Sequence, residues 1–169
     1  NDLGPKEWLP FQKSFTIFQD IDSLVLDNLR FFTKPTRIPT QNVLSFGSKE
    51  FNLVVKKQIR SIELEDKSNC KTVDFLAVDL TNSKTLLEEA INWIYSQAPK
   101  LNYRKFLWVL VPTNQLNEKG FPISWELSNQ LSKFLTRKDE KIICLPDGNT
   151  WTSLYFRKDE NSELLHRTH

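Results

Sequence analysis

With 169 residues, 39% hydrophobic and 12% aromatic, the chain can bury a real core as one domain, and its composition excludes the disordered, fibrous and disulfide-stapled classes. The 23 Lys and Arg residues against 21 Asp and Glu leave a net charge of +2, too small to force a polyanion partner, so any nucleic-acid surface must come from local clusters. The longest apolar run, Phe106 to Val111, is far too short to span a bilayer, and no basic-then-apolar leader opens the chain.

The first nineteen residues carry Trp8, Leu9, Phe11, Phe15, Ile17 and Phe18, too apolar for a free tail, and are expected to pack on the domain. After Asp20, a plausible N-cap, Ile21, Leu24, Val25, Leu29 and Phe32 fall at helical spacing until Pro35. Residues 34–49 hold two prolines and Gly47 and read as a loop. Phe51, Leu53 and Val55 then alternate, whereas Ile62 and Leu64 take the opposite phase. The reading is two short strands, or one strand bulged between Lys56 and Arg60. Asp66 to Asn69 is the expected hairpin loop into a central strand, Thr72 to Leu80, apolar on both faces.

Thr85-x-x-Glu88 has capping-box spacing, and Leu87, Ala90, Ile91 and Ile94 form one stripe, so a helix is predicted over 84–97. Phe106 to Val111 is a buried strand, reached by a right-handed parallel crossover. A second amphipathic helix opens at Pro122 and Ser124, Lys141 to Leu145 forms a strand, and Asp147-Gly148-Asn149 turns into a last antiparallel strand, Thr150 to Phe156. The predicted fold is a single α/β domain over 1–156, ordered αβββαβαββ, with a mixed central sheet and helices on both faces. A polar, flexible tail covers 157–169.

Cys70 and Cys144 lack metal-ligand spacing and make no disulfide framework, which points to a reduced, intracellular and cytoplasmic protein without a membrane role. Both histidines, His166 and His169, lie in the polar tail, which argues against histidine-dependent catalysis or a histidine-built zinc site. No methionine is present, not even an initiator, so a processed product or a fragment is expected. Four glycines leave no phosphate-cradling loop, and no nucleotide-binding fingerprint follows a strand.

Helix one, a meander ending in Phe75-Leu-Ala-Val-Asp79, the helix bearing Ala90, Ile91 and Ile94, and the strand Phe106-Leu-Trp-Val-Leu-Val111 resemble the αβββαβ core of the PD-(D/E)xK, or restriction-endonuclease-like, nuclease superfamily. The resemblance covers residues 20–112 and rests on element order and hydrophobic pattern. It implies a divergent metal-dependent endonuclease, or a relative that binds nucleic acid without cleaving it, with Mg²⁺ or Mn²⁺ if catalytic. Asp79 stands at the family's third-strand carboxylate, but Asp79-Leu80-Thr81 lacks the family's lysine, leaving Lys84 as a migrated one. Glu63 is the candidate second metal ligand. An ideal hairpin register puts it roughly 20 Å from Asp79, so it needs a broken register near Lys57. Asp22 or Glu50 are outside candidates.

Beside this, Asp79 reads as a helix cap or a partner of Lys56, and Asp74 as a lysine partner. The local basic clusters Lys56, Lys57 and Arg60, with Arg104 and Lys105, are the candidate nucleic-acid contacts, and Tyr103 is a candidate stacking surface. Trp108 is assigned to core packing, and Trp93, Trp125 and Trp151, on amphipathic elements, are read as core packing with partner contact as the alternative. The alternative is a non-enzymatic protein-interaction domain of a larger assembly, binding through the aromatic N-terminal segment.

Overall fold

In the computed structural model, residues 15–18, 20–33, 42–62 and 72–159 are described. They form β1 (Phe15–Ile17), α1 (Ile21–Thr33), β2 (Val43–Phe46), α2 (Lys49–Ser61), β3 (Val73–Asp79), α3 (Leu87–Gln97), a 3₁₀ turn (Ala98–Lys100), β4 (Leu101–Pro112), α4 (Ile123–Leu131), β5 (Thr136–Cys144) and β6 (Thr150–Arg157). Strands and helices alternate up to the closing β5–β6 hairpin. The six strands lie in the order β1-β5-β6-β4-β3-β2. Only the β4–β6 and β5–β6 pairs are antiparallel, so β6 alone runs against the rest.

This corrects the restriction-endonuclease-like order. Residues 51–61, read as a meander, are helical, because Phe51, Val55 and Ile59 recur every four residues and are all buried. Ser48 caps that helix, its Oγ accepting from the Phe51 N–H at 3.1 Å. The helix runs through Lys56 to Arg60, where the strand reading needed a bulge, and Leu64 lies outside the described residues. β3 therefore pairs in parallel with β2 on one side and β4 on the other, with Val43 opposite Phe75 and Phe75 opposite Phe106. The expected hairpin tip, Asp66 to Asn69, lies outside the described residues.

Every residue of β3 is buried, as a strand covered on both faces requires. One face carries Leu76, Val78, Leu107, Val109, Leu154 and Phe156 under α3 and α4. The other carries Phe75, Ala77, Trp108, Leu110 and Tyr155 under α1 and α2. Here α1 starts as read from sequence, with Asp20 Oδ1 accepting from the Ser23 N–H at 2.6 Å. By contrast α3 begins at Leu87 behind Leu86, without a side-chain cap, so Thr85 opens no capping box. Lys158 is buried, and its Nζ donates to the carbonyls of Ala98 and Pro99 at 3.0 and 3.1 Å.

The four parallel crossovers do not share one hand. The β3–α3–β4 and β4–α4–β5 units step toward β1 with their helices on the α3/α4 face. The β1–α1–β2 unit steps the opposite way on the opposite face, which is the same hand. Only β2–α2–β3 steps toward β1 with its helix on the α1/α2 face. Since such connections are right-handed in about 98% of cases, the exception is this one, and it is left-handed.

Candidate functional site

In open α/β sheets, ligands gather beyond the carboxyl ends of the parallel strands, where helices begin. Here β2 ends at Phe46 and passes through Gly47 and Ser48 into α2, while β3 ends at Asp79 and turns through residues 80–86 into α3. A Cβ at Gly47 would lie 3.0 Å from Phe51 Cδ2, 3.1 Å from Asp79 Cβ and 3.3 Å from the Asp79 carbonyl oxygen. Glycine is thus needed because the two strand ends touch.

Asp79 is 4% exposed, and burial pushes its carboxyl above the usual aspartate range. Both of its hydrogen bonds go to Thr81: Oδ1 accepts from the backbone N–H at 2.9 Å and from Oγ1 at 2.6 Å. It neither caps α3 nor pairs with Lys56. Lys84 is exposed in the following turn, where its N–H donates to Asn82 Oδ1 at 2.9 Å. The turn and the α2 start enclose an open cleft of about 410 Å³ lined by Phe46, Gly47, Ser48, Lys49, Glu50, Asn82, Lys84, Thr85 and Glu89. Thus Lys84 and Glu50 face this cleft, whereas Asp79 sits beneath Gly47.

The other candidates are dispersed. Asp22 accepts from Lys57 Nζ at 3.1 Å and from Gln58 Nε2 at 3.2 Å, tying α1 to α2. Lys56, Lys57 and Arg60 are exposed on α2. Arg104 and Lys105 lie five or more positions before Leu110, the β4 partner of Asp79, and hence about 17 Å or more toward the other end of the sheet. Asp74 pairs with no lysine among the described residues: it accepts from the Asn42 N–H at 3.0 Å and from Asn102 Nδ2 at 2.9 Å, pinning the starts of β2 and β4. Glu63 lies outside the described residues. Among the described residues, no group of three or more His, Cys, Asp or Glu side chains could hold a metal ion. The Mg²⁺ or Mn²⁺ centre, and with it the metal-dependent endonuclease reading, is overturned.

A second concavity of about 780 Å³ opens between the N-terminus of α3, the β4–α4 loop and α4. Leu116, Phe121 and Trp125 line it and are more than half exposed. Trp125 departs from its assignment to the core. Trp108 keeps that assignment, fully buried with Nε1 donating to Ser153 Oγ at 2.7 Å. Tyr103, 45% exposed, has the Lys158 ammonium 5.6 Å from its ring centre.

No protein-family model matches the chain, and no curated protein is similar to it in sequence. Solved structures are similar in fold. A Listeria monocytogenes protein assigned as a class I S-adenosylmethionine-dependent methyltransferase superposes with a TM-score of 0.55 at 14% identity, over 83% of this chain and 59% of that one. The Burkholderia thailandensis 1,6-didemethyltoxoflavin-N1-methyltransferase, solved with bound 1,6-didemethyltoxoflavin and S-adenosylhomocysteine, gives 0.55 at 11% identity over 83% and 79%. An rRNA methylase of Streptococcus thermophilus gives 0.52 at 6% identity over 85% and 99%. The chain spans about three fifths of the length of the Listeria protein. These likenesses replace the nuclease resemblance: the fold is the alternating β-α sheet of class I S-adenosylmethionine-dependent methyltransferases.

Proposed function

We propose that this chain is a methyltransferase-fold domain that works as a protein-binding module rather than as a methyltransferase. The observation that carries this reading is the left-handed β2–α2–β3 unit. In the classic nucleotide-binding sheet the chain leaves the first strand outward, to two further strands, and returns later on the other side, and the ligand occupies the crevice where the strand order reverses. Here α2 lies where a right-handed outward step would put it, yet the chain turns inward to β3. Eleven residues separate Ser61 from Val73, fewer than an extra parallel strand and its return crossover need. Among the described strands β2 is the edge, so the crevice lacks its outer wall.

The local residues point the same way, and they do not fit S-adenosylmethionine. A nucleotide turn of the Gly-x-Gly-x-x-Gly type needs glycine where backbone approaches ligand. This chain has Gly47-Ser-Lys-Glu-Phe-Asn52, with lysine and asparagine at the second and third positions. The space beside Gly47 is filled by Asp79 and Phe51, and Ser48 is engaged as the cap of α2. Asp79 is turned back on Thr81.

The cleft at the strand ends favours a second reading, a small-ligand site using Lys49 and Lys84. Equilibrium titration with S-adenosylmethionine and S-adenosylhomocysteine separates the two. Saturable micromolar binding, weakened by Lys49→Ala, would support the ligand site, and flat titrations support the binding module.

No helix among the described residues is long and apolar enough to cross a membrane. A cytoplasmic setting is part of the proposal, supported by the free thiol of Cys144. Salt-sensitive nucleic-acid binding lost on substitution of Lys56, Lys57 and Arg60, or of Arg104 and Lys105, is the outcome that would replace the protein partner.

A further inference from the structure

Eight large apolar side chains are exposed among the described residues, and three of them gather at one place. Leu116, Phe121 and Trp125, at 57%, 51% and 63% exposure, line the 780 Å³ concavity together with Leu87 at the start of α3. A smaller hollow of about 340 Å³ between α3 and α4 shares Leu87, Glu88, Glu126 and Gln130 with it, so the two form one groove along the α3–α4 seam.

The aromatic anchors stand on ordered backbone. Asn117 Oδ1 accepts from the N–H groups of Lys119 and Phe121 at 3.0 and 2.9 Å, and the Asn117 N–H donates to the Phe121 carbonyl at 2.7 Å. Gly120 provides the left-handed residue of this turn, at φ +84°. Phe121 then stacks on Trp125 across the start of α4, ring centres 6.2 Å apart. Rigid aromatic side chains on a preorganised loop lose little entropy on binding.

The charge around them is net negative. Glu88, Glu118 and Glu126 line the groove against the single base Lys119, although the whole chain carries +2. An acidic rim on an aromatic floor disfavours a polyanion and complements cationic side chains carried on an apolar stem. We propose that this groove docks a basic amphipathic peptide segment of a partner protein, its aliphatic residues on Phe121 and Trp125 and its Lys or Arg residues against Glu88, Glu118 and Glu126. This rests on the reading of the chain as a binding module and names the class of partner.

The test is selection of a random 12-residue peptide library on the full chain. Titrations of the recovered peptides follow with wild type, Trp125→Ala and the double variant Glu118→Lys/Glu126→Lys. The groove predicts peptides rich in Lys or Arg around aliphatic residues, at least tenfold weaker binding to each variant, and weakening by salt. Both substitutions are at exposed or half-exposed side chains, and circular dichroism of the variants verifies their folding. No enrichment, acidic or uncharged consensus sequences, or affinity unchanged by both variants would overturn the proposal. A parallel S-adenosylmethionine titration on the same sample keeps the two failures apart: cofactor binding sinks the module reading whatever the peptides do.

Discussion

At the residue scale, Gly47 and Asp79 record how closely the ends of β2 and β3 approach. A methyl group at Gly47 meets Asp79 backbone as well as the Phe51 ring, so Gly47→Ala is expected to cost about 1–3 kcal/mol, read as a lower denaturant midpoint at unchanged slope. Asp79 has its carboxyl raised by burial, which its two bonds from Thr81 offset only in part. An acid raised in the fold contributes stability that is complete below its unfolded value of about 4 and is lost as pH rises through the folded value. Asp79→Asn keeps an oxygen for Thr81 without the charge. Its melting temperature should therefore exceed wild type at pH 7, with the gap closing as pH falls toward 4. A lower melting temperature at pH 7 would mean that the charge itself is held. The carboxylate was visible in sequence as a strand-end acid. Its tie to Thr81 was not, because a two-residue turn bond competes with capping and pairing at the same position.

At the element scale, β4, β6 and α1 share a buried polar chain. Trp108 Nε1 donates to Ser153 Oγ, which bonds the Tyr155 hydroxyl at 2.9 Å, which donates to Asn28 Oδ1 at 2.7 Å. Burial is the main force pushing the Tyr155 phenol up to about 12. Below about pH 10 the phenol is neutral folded or unfolded. Between about 10 and about 12 only the unfolded chain ionises, so stability should fall across that window. Tyr155→Phe should abolish that alkaline loss and cost about 1–3 kcal/mol at neutral pH, by leaving Asn28 and Ser153 short of a partner. Urea titrations at pH 8, 10 and 11.5 test both. Elements with one clear period were legible: α1 behind Asp20, α3 from its aliphatic stripe, and β3 and β4 from continuous apolar runs. Residues 49–61 were not. Phe51, Leu53 and Val55 alternate like a strand, but Leu53, the middle one of the three, is 57% exposed and belongs to no buried stripe. Ser48 as a cap, with Phe51, Val55 and Ile59 four apart, was the true one.

At the scale of the whole molecule, that local misreading decided the fold. A strand at 51–55 makes a meander and a nuclease-like core. A helix there, entered from β2 through Gly47, makes an alternating sheet with one strand, β6, reversed. The hand of β2–α2–β3 depends on strand order and on the faces chosen by each helix, quantities no local pattern carries. The groove was equally hidden, because Leu116, Phe121 and Trp125 resemble core residues until packing leaves them out. The central claim is that this sheet keeps the methyltransferase architecture without the cofactor crevice. Isothermal titration of the full chain with S-adenosylmethionine, to about a millimolar, tests it most directly. The account predicts no saturable heat. A saturating isotherm in the micromolar range, lost on Lys49→Ala, would contradict it.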